Sequence, residues 1–256
     1  MHDWLSLNKT RKDIVTELIR DWNNLLDKKE KEEVYHSFLA EHAGFFLADE
    51  TAFAVISKLK LGAELETDFV IIRDGYSNGT IYEFIEIEKP WSGLFNEKGI
   101  PSKDFNTSLQ QIRDWKRWLI DNKSYFRKYL PTANTRVINN SNLKFKIVIG
   151  RRDNPIINLE KRFQIASDNN IEIRSFDSLT DKLSSRFFMP YSTLNDKEKL
   201  SDDILAKIVN PFNKALTDSD WRQLCDNIRI PATHIYSQIS DLLVDKLKNN
   251  ELYKRF

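Results

Sequence analysis

The stretch Thr80–Pro90, Thr-Ile-Tyr-Glu-Phe-Ile-Glu-Ile-Glu-Lys-Pro, limits what this chain can fold into more than any other. Its β-branched and aromatic residues describe a strand, with the glycine-bracketed turn Gly75–Gly79 before it and a proline at its end. Side chains alternate along a strand, so Glu86 and Glu88 share one face while Ile85 and Ile87 point the other way, into a core. Two carboxylates side by side in an apolar strand repel each other and lose hydration. A cation between them removes both costs. A solvated edge strand also tolerates Glu-x-Glu, and this stretch alone leaves both readings open.

The residues before it set up a meander. Residues 52–61 end in an alternating pattern and read as a first strand, and Asp68–Ile72 is a second that opens on an acid. The turn at Asp74–Gly79 returns the chain antiparallel into Thr80–Pro90. Asp68 lies eight residues before Tyr76 and Glu88 nine after Gly79, so pairing carries Asp68 to the Glu86/Glu88 end of the third strand. Two helices precede the meander. One covers 9–26 with Ile14, Leu18, Trp22 and Leu25 in a stripe; the other covers about 31–47 with Val34, Phe38 and Leu39 inward. Glu41 and His42 near its end are surface or capping residues, or members of a site.

After a breaker-rich loop, Trp91–Pro101, Ser102 or Asp104 caps a long helix reaching about Tyr125. Leu109, Ile112, Trp115 and Leu119 form its apolar stripe, and Gln111 and Trp115 share a face. Leu143–Gly150 turns fully apolar, as a central strand does. A helix at about 157–169, a strand at Ile171–Phe176 and a helix from Ser178 to about Phe187, capped by Asp177, follow. Strand–helix–strand implies a parallel pair with a right-handed crossover. Beyond Pro190–Asn195 the pattern is helical, at about 197–209, 217–228 and 232–248, with a helical hairpin or a helix-turn-helix around Ile228–Pro231. The expected architecture is α/β: an N-terminal helical extension (1–30), a central domain with a mixed sheet flanked by helices (31–192) and a C-terminal helical segment (193–256).

Composition excludes several classes. No run of 18 apolar residues occurs, so a membrane span is not expected, and the opening residues lack the order of a signal peptide. Cys225 is the only cysteine, which excludes intrachain disulfides and zinc ribbons. Both facts favour the cytoplasm. A net charge of +1 leaves any nucleic-acid site to local patches. Arg151 and Arg152 offer one such patch; Lys116 with Arg117, Lys123 and Arg127 with Lys128 offer another. The alternatives are a core acid paired with the arginines and a solvated helix face.

The order helix, three-strand meander with Asp then Glu-x-Glu, long helix with Gln, strand, helix, strand resembles the PD-(D/E)xK nuclease superfamily. That resemblance implies a restriction-endonuclease-like fold. Asp68 and Glu86 match the acids that hold a divalent cation, usually Mg²⁺, and Glu88 stands where a lysine is usual. Lys89 points to the opposite face and does not replace it. Gln111-x-x-x-Trp115 resembles the Gln-x-x-x-Tyr element of some branches, with Trp in place of Tyr. More closely, Phe84–Pro90, Gly93–Phe95, Ser108–Trp115, Ile147–Arg152 and Ile171–Leu179 are similar, in that order, to elements of the nuclease domain of Shedu anti-phage proteins, over about residues 33–188. The resemblance implies a Mg²⁺- or Mn²⁺-dependent DNA endonuclease used against phage. Asp68, Glu86, Glu88 and Gln111 would be its catalytic residues, and the first three its metal ligands. It also implies a homo-oligomer, with flanking helices that sense a phage-derived trigger, assemble subunits or complete the fold. Glu88 motivates a rival, a catalytically silent relative that binds nucleic acid or protein; a helical adaptor acting through residues 195–256 is a third reading.

Overall fold

The computed structural model describes residues 11–49, 51–75, 80–122, 130, 142–152, 156–188 and 214–227. Helices α1 (Arg11–Leu26), α2 (Glu32–Glu41) and α3 (Ala43–Phe46) lead into strand β1 (Ala52–Ser57). A ribbon of β2 (Lys60–Leu61) and β3 (Leu65–Glu66) precedes β4 (Phe69–Asp74) and β5 (Thr80–Ile87). Then come α4 (Lys103–Asp121), β6 (Leu143–Val148), α5 (Ile156–Asn169), β7 (Glu172–Arg174), α6 (Asp177–Phe188), β8 (Leu216–Thr217) and α7 (Asp218–Asn227).

The main sheet is mixed, in the order β7-β6-β5-β4-β1-β8. Strands β1, β4 and β5 form the expected antiparallel meander; β6 and β7 run parallel to β5, and β8 runs parallel to β1. Alternation sends Val70, Ile72, Tyr82, Phe84 and Ile147 into one core with α4, part of α5 and α7. Phe69, Ile71, Ile85, Ile87 and Val148 enter a second core with α1, α2, α3 and α6. The sheet is thus covered on both faces, so β5 is buried along most of its length, its two glutamates included.

Some expectations on boundaries change. Trp22 of α1 is fully buried, stacked on Phe38 at 5.1 Å and packed on Phe46 and Phe176. Helix α1 therefore shares the core of the segment it was expected to flank. Residues 214–217, expected in the C-terminal helical segment, dock on α2 through Ala215 N–H to Ala40 O at 2.7 Å and continue into β8. The helix expected over 31–47 breaks at His42, whose φ is −121°. Tyr35 and Leu39, not Val34, face inward; Val34 is 41% exposed. Tyr35 fixes that phase: it meets Trp22 edge-on, and its hydroxyl donates to Lys28 O and accepts from Glu30 N–H. Val34, one residue earlier on a 100° step, is turned away.

Two glycines shape the loops near the C-terminal end of β5. Gly62 has φ +74°, and a Cβ there would lie 3.0 Å from Trp118 Nε1. Gly150 has φ +68°, and a Cβ would lie 2.7 Å from Ser92 O, so only glycine lets the loop after Pro90 close onto β6. Ser102 caps α4, accepting the Phe105 N–H at 3.1 Å, a bond that contributes about 1 kcal/mol.

A third acid of β5, Glu83, lies on the other face within an ionic ladder. Arg73 holds it at 2.7 Å and Lys146 pairs with it; Lys146 also meets Glu172 at 3.1 Å, and Arg73 also pairs with Asp49. Burial raises the Glu83 carboxyl, but Lys146 and Arg73 overcome this and hold it below the usual range.

Candidate functional site

Register decides which side chains meet. Phe69 pairs with Ile85 across β4–β5, and Ser57 with Phe69 across β1–β4. One step outward, Asp68 comes opposite Glu86, and Lys58 opposite Asp68, whose carbonyl accepts the Lys58 N–H at 3.0 Å. Glu86 pairs in turn with Ile147 of β6. Glu88 follows one pleat later, its N–H donating to Val148 O at 2.9 Å. The acids therefore gather at the end of the sheet where β5 leaves and β4 enters. The hairpin count put Asp68 near both glutamates, and the register places it against Glu86.

The solvated-edge alternative does not hold. Strand β5 is hydrogen-bonded on both sides, and Asp68, Glu86 and Glu88 are 4%, 5% and 7% exposed. Asp68 Oδ2 accepts the Ile87 N–H at 2.8 Å, and Oδ1 takes the Lys58 ammonium at 2.5 Å. Burial pushes the Glu86 carboxyl well above the usual carboxylate range, and the charges of Asp68, Glu32 and Glu88 add to the shift. No described residue donates a hydrogen bond to it. Glu88 is raised by burial too, against a hydrogen bond from Ser108. Ser108 Oγ stands 3.1 Å from Glu88 Oε1 and 3.2 Å from Asp104 O.

Two members come from α2, which the sequence did not single out. Half-buried Glu32 is pushed up to about 7, by burial and then by Asp68 and Glu88. His36 stacks on Phe69 with ring centroids 4.5 Å apart, its Nε2 3.3 Å from Asp68 O. Burial and then the Lys58 charge lower its pKa. In the sequence, Glu32 sits inside the charged run 27–33, where nothing separates it from Glu30 or Glu33. The ammonium missing at position 88 is also present in a different place. Lys58, with φ +55°, brings it from the end of β1.

The other expected residues are placed as follows. Gln111 is half-buried on α4, one turn after Ser108, and Trp115 is 1% exposed in the core. Ser108, not Gln111, makes the contact to the site from this helix. Arg151 pairs with the largely buried Asp177 at 2.9 Å and with the exposed Asp27 at 3.2 Å, whereas Arg152 makes a surface pair with Asp181. Lys116 donates to the carbonyls of Asn169 and Asn170, at 2.5 and 3.2 Å, where a cation suits the C-terminal end of α5. Glu41 pairs with Lys214 at 2.7 Å, and His42 is buried beside Phe38. Lys123, Arg127, Lys128 and the hairpin around Ile228–Pro231 lie outside the described residues.

Chemically, the site is a row of oxygen donors with the Lys58 ammonium at Asp68. Four carboxylates, Asp68, Glu86, Glu88 and Glu32, gather near the Lys58 ammonium, and their repulsion adds to burial in raising the Glu86 carboxyl and in pushing Glu32 up to about 7. Among the described residues, no three His, Cys, Asp or Glu side chains close into a metal-holding group. No helix among them is long and apolar enough to cross a membrane. No curated protein and no solved structure matches the chain. Residues 29–180, which span every element from α2 into α6 and all the acids of this row, match the family model described as Shedu protein SduA, C-terminal, and the chain belongs to that family.

Proposed function

We propose that the chain is a divalent-cation-dependent DNA endonuclease of anti-phage defence, on a restriction-endonuclease-like fold. The observation that carries this is that Asp68 and Glu86, each one residue past the Phe69–Ile85 pair of β4 and β5, are both buried and near enough for the Asp68 charge to raise the Glu86 carboxyl. Family membership supports the defence role. The order α2, antiparallel meander, α4, parallel β6 supports the fold assignment.

The donor set fits Mg²⁺ or Mn²⁺. It is all oxygen, Glu86 is buried without a hydrogen-bond donor among the described residues, and Mg²⁺ takes one or two protein carboxylates and keeps several waters. Asp68 and Glu86 would hold the ion, with Glu88 beside them. When bound, such an ion supplies Lewis-acid stabilisation of phosphoryl charge and acidifies water. The chain's own groups do the rest. Glu88, with its carboxyl raised by burial and oriented by Ser108, accepts the proton of the attacking water. Glu32, near 7, exchanges protons with the site around neutral pH. Arg152, 61% exposed, keeps a phosphate-contacting role, whereas Arg151 and Lys116 hold elements together. Assembly into a homo-oligomer and response to a phage-derived trigger belong to the same reading.

The test is cleavage of linear and plasmid DNA with Mg²⁺ or Mn²⁺. Wild type is expected to cut, and Asp68→Ala and Glu86→Ala are expected to lose at least about a hundredfold of the rate. Cutting that persists unchanged in both variants contradicts the proposal. The rival reading, a silent relative that binds nucleic acid or protein, draws on Glu88 in place of the usual lysine. It predicts neither cutting nor ion binding at Glu86.

A further inference from the structure

The two oxygens of Asp68 differ in what they hold. Oδ2 is tied to the β5 backbone by the Ile87 N–H at 2.8 Å. Oδ1 carries the Lys58 ammonium at 2.5 Å. Each oxygen keeps a further lone pair beside these contacts, but the solvent-facing approach to Oδ1 is the one that the lysine occupies.

Lys58 has a second position within reach. Glu66 Oε1 stands 3.9 Å from the same ammonium. The Lys58 and Glu66 side chains are 43% and 44% exposed, against 6% for Asp68, so the lysine end can move while the Asp68 carboxylate cannot. The backbone is committed to this arrangement. Lys58 adopts φ +55°, a region that disfavours every residue with a Cβ except in tight local turns, and its N–H is held by the carbonyl of Asp68 itself. Such a conformation at a lysine, with both ends of the residue fixed on one aspartate, points to a role for this lysine at that carboxylate.

An ammonium 2.5 Å from Oδ1 opposes a divalent ion at the same carboxylate, because like charges a few ångströms apart in a partly buried site repel. We propose that Lys58 is an internal counter-cation: it holds Asp68 in the ion-free protein and yields the carboxylate to a divalent ion by stepping out to Glu66, so that the lysine sets the affinity of the site. The inference rests on the reading of Asp68 and Glu86 as ion ligands. It adds a competitor that the carboxylates alone do not have, and an outer acceptor that biases the competition.

The experiment is a calorimetric titration of Mn²⁺ into the full chain as wild type, Lys58→Gln, Glu66→Gln, the double variant of these two, and Glu86→Gln. Lys58→Gln is expected to bind Mn²⁺ about tenfold more tightly. Glu66→Gln is expected to bind about threefold more weakly, and that loss disappears when Lys58 is also replaced. A lysine serving only to hold the fold predicts weaker binding, not tighter. Lys58→Gln affinity equal to or below that of wild type overturns the inference and leaves the ion site standing. A wild type with no Mn²⁺ binding that depends on Glu86 overturns both. Thermal melting in chelator shows whether Lys58→Gln is folded; if it is not, unchanged Mn²⁺ affinity in Glu66→Gln is the result that overturns the inference.

Discussion

Glu86→Gln is expected to raise the melting temperature of the ion-free protein at pH 8 by about 2–8 °C. Glu86 is 5% exposed, and burial pushes its carboxyl well above the usual range, with Asp68, Glu32 and Glu88 adding to the shift. A carboxyl raised on folding contributes its stability below the unfolded value, near 4.5, and loses it as pH rises through the folded value. At pH 8 the wild type therefore carries a penalty that an amide of the same shape does not. The gain shrinks toward pH 4, where Glu86 is protonated in both states. Glu32, pushed up to about 7, adds a loss of the same sign between pH 4.5 and 7. The check is a set of melting curves in chelator from pH 4 to pH 8. A Glu86→Gln protein no more stable than wild type at pH 8 contradicts the account, because a glutamate that costs nothing there is not a strained, ligand-seeking acid.

The second large effect concerns folding alone. Lys146→Met is expected to destabilise the protein by about 3–5 kcal/mol, measured by urea unfolding. The Lys146 side chain is 5% exposed and joins Glu83 to Glu172; removing it leaves Glu83, 9% exposed, with Arg73 as its remaining cation in the ladder. Removing Lys146 leaves the Glu83 Oε1 that it held buried away from water, with Arg73 on Oε2 alone, and that desolvation is the main cost. Arg174→Ala serves as the control. Its guanidinium is half-exposed beside Glu172, and such a pair contributes no more than about 1 kcal/mol. Similar losses for the two variants would mean that the ladder is not tightly buried.

The two predictions separate the glutamates of one strand by face. Glu86 and Glu88 point to the α4 side, where cations are few; Glu83 points to the α1–α3 side, between a lysine and an arginine. The alternation that the sequence displays predicts this split. What it cannot display is the partner set, because Arg73, Lys146 and Glu172 come from three other strands.

The same limit explains the rest of the site. Strand β5, the meander and the stripe of α4 follow from local periodicity and turn chemistry, which is why their bounds came close. Asp68 was reachable because it is joined to Glu86 by a hairpin, where register is a count of residues. Glu32 and His36 arrive from α2 on the far side of a packed core, and Lys58 through a left-handed backbone turn at a residue that is not glycine. Neither has a local signature. The β8 strand was missed for a related reason: two residues, Leu216 and Thr217, are too short to show a period, and their pairing with β1 is set by tertiary docking on α2. Composition shows the charges of Arg151 and Lys116 but hides their partners, Asp177 with Asp27 for the one and the carbonyls of Asn169 and Asn170 for the other.

The central claim is that Asp68 and Glu86 together hold a divalent ion. Anomalous scattering from crystals equilibrated with Mn²⁺ tests it most directly. The account predicts a peak within about 2.5 Å of a carboxylate oxygen of both residues, absent in Glu86→Gln crystals. A map without a peak there, at Mn²⁺ concentrations that support DNA cleavage, contradicts it.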